Sequence, residues 1–309
     1  SIVGYGIPDL WTITQGEGVL VAVLDTGVET AHPDLAGALE DAEDFTRSLW
    51  GAEDRQSHGT HCAGIIAARN NTTGIVGVAP KARLLCGKVL GDDGYGSDAS
   101  IAAGIRWAVS KGARIISMSL GGGQASAEVD ALMRKETDNG TIFICAAGND
   151  GQGGVNWPGR NDFVIAVGAV GRDGKVADFS SRGKAVDIAA PGVDILSTVP
   201  NGRYAKMSGT SMATPFVTGV AALALARHDA IGEDAETPLR NTKEMLEHLQ
   251  RTATDAGPGG HDAAYGYGLV NPGGLVSDAG RRRDRPPVAD GTLLQVLLNG
   301  TEAFRFTIK

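Results

Sequence analysis

Six short apolar runs mark residues 19–189 of the chain: Val19–Leu24, Leu84–Leu90, Ile115–Leu120, Ile142–Ala147, Val164–Val170 and Val186–Ala189. Most are continuous rather than alternating, the pattern of strands covered on both faces. Helical patterns lie between and after them, near His58–Ala68, Ser97–Ser110, Ala127–Asn139, Ser211–Arg227 and Thr242–Thr252. Ser97 stands where an N-cap belongs, with Ile101, Ile105 and Val109 as an apolar stripe behind it, and Lys111-Gly112 closes the segment. Strand and helix in alternation predict an α/β fold, a doubly wound, mostly parallel sheet with helices on both faces. The 309 residues suffice for a large core.

In such sheets ligands sit beyond the carboxyl ends of the strands. That rule picks out Asp25-Thr26-Gly27, Gly91–Gly96, Gly121–Gly123 and Gly148-Asn149. Glycine is abundant, 45 residues, which suits tight turns and close backbone approaches around a loop-built site. A net charge of −8 without a basic stripe argues against nucleic acid as a partner. No apolar stretch reaches the roughly 18–20 residues that a membrane helix requires. Cys62, Cys86 and Cys145 are an odd number and do not make a disulfide scaffold. The composition changes after residue 279, so we expect two parts: a catalytic domain over 1–279 and an extension over 280–309. The extension starts with an arginine-rich, Pro286-Pro287 linker, read as solvated, and ends in a β-hairpin turning at Asn299-Gly300.

Three polar residues stand at the functional edge of this sheet. Asp25 follows a buried strand directly, where a carboxylate is costly unless it is paired. His58 begins a helix whose glycines permit close backbone approach. Ser211 opens another helix after Gly209-Thr210, where unpaired backbone N–H groups and the positive helix end favour an anion beside the hydroxyl. A serine before a helix is ordinarily a cap, but Asp, His and Ser together fit a hydrolase triad.

The chain resembles the subtilisin (subtilase) family of serine endopeptidases. The matching strings are VAVLDTGV at 21–28, HPDL at 32–35, HGTHCAG at 58–64, GVAP at 77–80, SMSLGG at 117–122, AAGN at 146–149, AAPG at 189–192 and GTSMATP at 209–215, in family order over roughly residues 5–275. The resemblance implies that Asp25, His58 and Ser211 form the triad and that Asn149 supplies a side chain to the oxyanion hole. It implies a structural role for His61, which by residue type alone also reads as a metal ligand beside His58, and a free thiol at Cys62 next to the catalytic helix. It further implies that Gly94, Tyr95 and Gly96 on one side, and Ser119, Leu120 and Gly121 on the other, sandwich an extended substrate as an added strand. A primary pocket would be lined by Ser119–Gly121 and Ala146–Gly148, with Asn156 near its floor and Asp98 at the rim of a pocket further upstream, where it would tolerate a basic residue.

Calcium is the cofactor that the resemblance implies, a structural ion and not a catalytic one. Its ligands would be the side chains of Asp34 and Asn71 and the carbonyls of Arg69, Thr73 and Ile75, an oxygen shell suited to Ca²⁺. The family's N-terminal glutamine ligand is replaced here, with Ser1 nearest. Expected partners are protein or peptide substrates and an inhibitory propeptide, with no nucleic acid and no membrane. We expect secretion, because Ser1 looks processed, with the cytoplasm as the alternative. Three other functions compete. An aspartic protease would need a second Asp-Thr-Gly, which the sequence lacks. A non-catalytic binding protein of the same fold is disfavoured by the intact triad. A narrow-specificity processing protease would need an acidic pocket cluster.

Overall fold

The computed structural model describes residues 2–124, 126–282, 293–298 and 301–307; Ser1, the Pro286-Pro287 linker and the Asn299-Gly300 turn lie outside the described residues. In chain order the elements are α1 (Ile7–Leu10), β1 (Leu20–Asp25), β2 (Leu39–Asp44), α2 (His58–Ala67), β3 (Arg83–Lys88), α3 (Asp98–Ser110), β4 (Ile115–Met118), α4 (Ala127–Asp138), β5 (Ile142–Ala146), β6 (Ile165–Val170) and β7 (Ile188–Pro191). They continue as β8 (Ile195–Val199), β9 (Arg203–Met207), α5 (Thr210–Ile231), α6 (Thr242–Thr252), α7 (Pro272–Ala279) and the hairpin β10 (Leu293–Leu298) with β11 (Thr301–Thr307).

Seven strands form one parallel sheet in the order β2-β3-β1-β4-β5-β6-β7. Its two faces are read directly from the alternation along β1. Val19, Val21 and Val23 enter a core shared with α2, α5, α6 and α7, whereas Leu20, Ala22 and Leu24 enter a second core beneath α3 and α4. Both faces are therefore dry, which is why β1 reads as an unbroken apolar run. Within this sheet the strand that the sequence hid is β2, Leu-Glu-Asp-Ala-Glu-Asp, at the sheet edge: its half-exposed side chains stay charged, and so its apolar signature is absent. β8 and β9 form a separate antiparallel pair packed on α2.

β1 lies between β3 and β4, so the chain reverses its winding direction there, and the crevice beyond these carboxyl ends is the position such sheets offer a ligand. α3 carries the expected cap, with Ser97 and Ser100 bonding each other's backbone. α5 is longer than its apolar pattern indicates, 22 residues, and it contains Pro215. Proline has no N–H to give to the Ser211 carbonyl one turn back. That carbonyl instead accepts from Ser119 Oγ at 2.9 Å and from Cys62 Sγ at 3.4 Å. Beyond α7 the backbone still pairs with the domain, through Glu236 N–H to the Arg281 carbonyl at 2.9 Å. Among the described residues no helix is long and apolar enough to cross a membrane.

Gly59, on the first turn of α2, shows how closely the elements approach. A Cβ there would fall onto the Gly27 carbonyl oxygen and lie 3.2 Å from Asp25 Cβ, atoms held by the sheet. Gly59→Ala is therefore expected to cost at least about 2 kcal/mol of stability, measured by denaturant unfolding in a Ser211→Ala background; an unchanged midpoint would contradict this packing.

Candidate active site

Asp25 is the last residue of β1 and is 1% exposed. Its Oδ1 accepts from His58 Nδ1 at 2.7 Å and from Thr26 N–H at 2.7 Å, whereas Oδ2 is buried without a partner. A carboxylate so placed fixes the imidazole tautomer, leaving Nε2 as the proton acceptor. Burial opposes charging of His58, but the adjacent Asp25 carboxylate outweighs it, so the ring pKa is held well above 6.5. Cys62 lies 4.0 Å from His58 Nδ1, and burial pushes its thiol up, so it remains neutral and the Asp25 charge dominates.

His58 is held in place from its helix. The N-cap of α2, Ser57, gives no side-chain bond and has φ 72°, and the buried Asp54 takes over the capping. Asp54 Oδ1 accepts from Thr26 Oγ1 and from the N–H groups of Gln56 and Ser57, and Oδ2 accepts from Thr60 N–H and Oγ1, all at 2.7–2.9 Å. Thr26 Oγ1 in turn accepts from Gly59 N–H at 2.9 Å. The loop after β1 and the start of α2 are thereby one hydrogen-bonded unit. His61 is not a metal ligand in this arrangement: its Nε2 lies 3.0 Å from the Ile195 carbonyl and 3.1 Å from that of Ala205, and burial pushes the ring down to about 4. It ties the β8–β9 pair to α2.

Ser211 lies on the first turn of α5, and its Oγ donates to the Ser119 carbonyl at 3.2 Å rather than to His58. The Asn149 amide is oriented by Thr210, whose N–H and Oγ1 both reach Asn149 Oδ1, at 2.9 and 3.1 Å. Gly148 N–H holds the Thr210 hydroxyl from the other side at 3.2 Å. Asn149 Nδ2 is thus turned towards the helix start: a point one Cβ out from Gly209 lies 3.5 Å from Nδ2 and 3.6 Å from Ser211 N. Asn149 Oδ1, 3.7 Å from that point, is the oxygen that Thr210 already holds. The sequence reading missed Asp54 and Thr210, although each adjoins or falls within a string it had singled out.

A cavity of about 680 Å³ runs between the two glycine-rich segments, with His58, Gly94, Tyr95, Gly96, Asp98, Ser119, Leu120 and Gly121 among its walls. Part of the Gly94–Gly96 backbone is already hydrogen-bonded. Gly94 N–H bonds the Gly91 carbonyl, Tyr95 N–H bonds Asp93, and the Tyr95 carbonyl accepts from Gly91, because the loop closes on itself. The Gly94 carbonyl and both backbone groups of Gly96, Leu120 and Gly121 have no partner among the described residues. Asp98 is also engaged: its Oδ2 accepts from Ser126 N–H, the N-cap of α4, at 2.8 Å. Ala146, Gly148 and Asn156 are not walls of this cavity. Asn156 Nδ2 binds Asp150 Oδ2 at 2.8 Å, and a Cβ on Gly148 would lie 2.7 Å from that amide nitrogen. Trp157, absent from the sequence-based site, does line the cavity, its indole held by Asp130 at 2.7 Å.

The loop at 69–75 wraps the fully buried Asp34. Asp34 accepts from Ile75 N–H at 2.8 Å, Thr73 Oγ1 at 3.3 Å and Asn71 Nδ2 at 3.4 Å. The carbonyls of Thr73 and Ile75 have no partner among the described residues, so the all-oxygen chemistry fits a hard cation. Two expected ligands are otherwise occupied: Asn71 Oδ1 accepts from Thr73 N–H, and the Arg69 carbonyl from Asn71 N–H, each at 2.9 Å.

Comparison with known proteins points the same way. The model described as "Subtilase family" matches residues 16–268. A "Thermostable alkaline protease" of Halalkalibacterium halodurans is 43% identical over 258 residues, 84% of this chain and 67% of that protein. "Subtilisin Savinase" of Lederbergia lenta is 42% identical over 256 residues, 83% of this chain and 90% of its own length. The match to the "M-protease" of Shouchella clausii, 42% identical, spans 83% of this chain but 63% of the relative. Because the raised His58 pKa must be passed before the ring is neutral, a rate that depends on His58 as base falls as pH drops. Its acid limb is expected above 6.5, and a limb below that value in kcat/KM would contradict the Asp25–His58 pairing.

Proposed function

The chain belongs to the subtilase family of serine endopeptidases, and on that premise we propose that it hydrolyses peptide bonds in proteins through an acyl-enzyme formed on Ser211. The 2.7 Å contact between Asp25 Oδ1 and His58 Nδ1, at the end of the strand beside the Ser211 helix, is the observation that carries this reading. Ser211 Oγ attacks the scissile carbonyl carbon while His58 Nε2 takes its proton. Asp25 stabilises the imidazolium that results. The imidazolium then gives the proton to the departing amine, and water repeats the sequence to release the acid. Asn149 Nδ2 and Ser211 N–H receive the negative oxygen. Loss of the Asn149 donor is expected to lower kcat about 10²–10³-fold, a magnitude that comes from subtilisins themselves.

Specificity follows from the cavity. Main-chain pairing with the Gly96 and Gly121 edges ignores side chains, so the cleavage is broad. Trp157 and Leu120 give the cleft apolar walls, and the Asn156–Asp150 amide–carboxylate pair stands outside them. Asp98 spends one oxygen on Ser126, which leaves the other to meet a basic residue upstream of the cut. Export as a zymogen with an inhibitory propeptide, the cytoplasm being the alternative compartment, and a division into a 1–279 domain with a 280–309 extension complete the reading.

A fluorophosphonate is expected to label Ser211 stoichiometrically, and Ser211→Ala to lose casein hydrolysis to background. A Ser211→Ala protein that digests casein at the parental rate would end the proposal.

Calcium would be held by Asp34 with the Thr73 and Ile75 carbonyls, after Asn71 Oδ1 and the Arg69 carbonyl turn inward, and would bind the 69–75 loop to the core. A ligand at a hundred times its Kd adds about 2.7 kcal/mol. Chelation is therefore expected to lower Tm by several degrees in the Ser211→Ala protein, and Asp34→Asn to abolish that dependence. A Tm indifferent to chelator would remove calcium from the account.

A further inference from the structure

Lys88, the last residue of β3, is a charged side chain with no exposure at all. It lies in register with Asp25 on β1. The backbone around it holds Asp25 directly: the N–H groups of Val89 and Leu90 both donate to the Asp25 carbonyl, at 2.9 and 3.0 Å. The ammonium donates to the next carbonyl along, that of Thr26, at 2.6 Å. Thr26 is the residue whose N–H binds the Asp25 carboxylate and whose hydroxyl binds Asp54 and Gly59. On its other side the ammonium meets Asp92 Oδ1 at 3.1 Å. Asp92 opens the loop that ends in Gly94–Gly96; its second carboxylate oxygen accepts from Ser48 Oγ at 2.7 Å and its carbonyl from Gln56 Nε2.

Burying an ammonium costs several kcal/mol, and a methionine of similar volume would fill the space without that cost. Packing therefore does not account for the charge. What the charge adds to the β3 backbone is a side-chain link between the turn carrying Asp25 and the loop presented to the substrate. We propose that Lys88 is a positioning residue that locks the substrate-pairing loop to the Asp25–His58 end of the catalytic centre, through the Thr26 carbonyl and the Asp92 carboxylate. The proposal rests on the peptidase reading and deepens it: Lys88 touches no reacting atom, and sets the distance between the chain being cut and the groups that cut it. Charged and titratable groups around His58 are Asp25 on β1, Cys62 and His61 on α2 and Asp54 before it; Lys88 and Asp92 reach this set by way of Thr26.

The test compares two substrates, an acetylated single-residue ester that does not reach the 94–96 edge and a tetrapeptide anilide that does. Enzyme concentrations come from fluorophosphonate titration, so misfolded protein drops out. Lys88→Met is expected to lower kcat/KM for the tetrapeptide about tenfold more than for the ester, since small misplacements of bound substrate are costly. Asp92→Asn, at a half-exposed residue, is expected to raise KM for the tetrapeptide by more than for the ester. Equal losses on both substrates in titrated Lys88→Met enzyme overturn the proposal and leave Lys88 a purely structural charge. If that variant does not fold, a tetrapeptide KM unchanged in Asp92→Asn overturns it. A wild type that takes no label overturns the peptidase reading and this proposal together; a labelled, active wild type with no substrate split overturns this proposal alone.

Discussion

A carboxylate with almost no access to water is the constraint around which the catalytic end of the molecule is arranged. Asp25 stands at the tip of β1 with one oxygen shared between His58 and a backbone N–H. Left without these partners it would be among the most unfavourable groups in the chain. The position of α2 follows from that requirement, because the imidazole arrives only if the helix starts where Gly27 and Gly59 nearly touch. So does Asp54, a second buried carboxylate that caps α2 and grips Thr26, and so does Lys88, the cation beneath them. Three charges, each costly alone, are tolerable as a set connected through Thr26, in which both oxygens of Asp54 are hydrogen-bonded and the Lys88 ammonium meets a carbonyl and a carboxylate.

Sheet topology supplies the rest. Winding outward from β1 in both directions leaves the ends of β3, β1 and β4 facing one crevice, and each contributes a different function. β1 brings the carboxylate, β3 leads into the 91–96 loop, and β4 leads into Ser119–Gly121. α5 then brings Ser211. The Ser119 and Ser211 residues exchange hydrogen bonds, hydroxyl to carbonyl in each direction, so the end of β4 and the start of α5 are fastened at one point.

Much of this was legible in the sequence, for a physical reason. Strands buried on both faces cannot hide their apolar runs, and Asp25 and Asn149 stand out because they follow such runs; His58 and Ser211 stand out at the starts of helices, within glycine-bearing strings. β2 was not legible, because an edge strand dressed in carboxylates has no apolar face to show. Lys88 was visible and passed over: it sits inside the run Leu84–Leu90, where one lysine among leucines and valines marks a buried charge with a task. Asp98 and Asn71 show the limit of motif reasoning. Their positions were expected, but one oxygen of Asp98 is committed to Ser126 and the amide oxygen of Asn71 to Thr73, and no spacing rule records which way a side chain turns.

Pro215 has a mechanical effect. By withholding one rung of the α5 ladder it releases the backbone of Ser211 from its own helix and moors it to β4 and α2 through Ser119 and Cys62. Ser211 therefore takes its place from the end of β4 and from α2 as well as from its own helix, so three elements of the fold fix one backbone carbonyl.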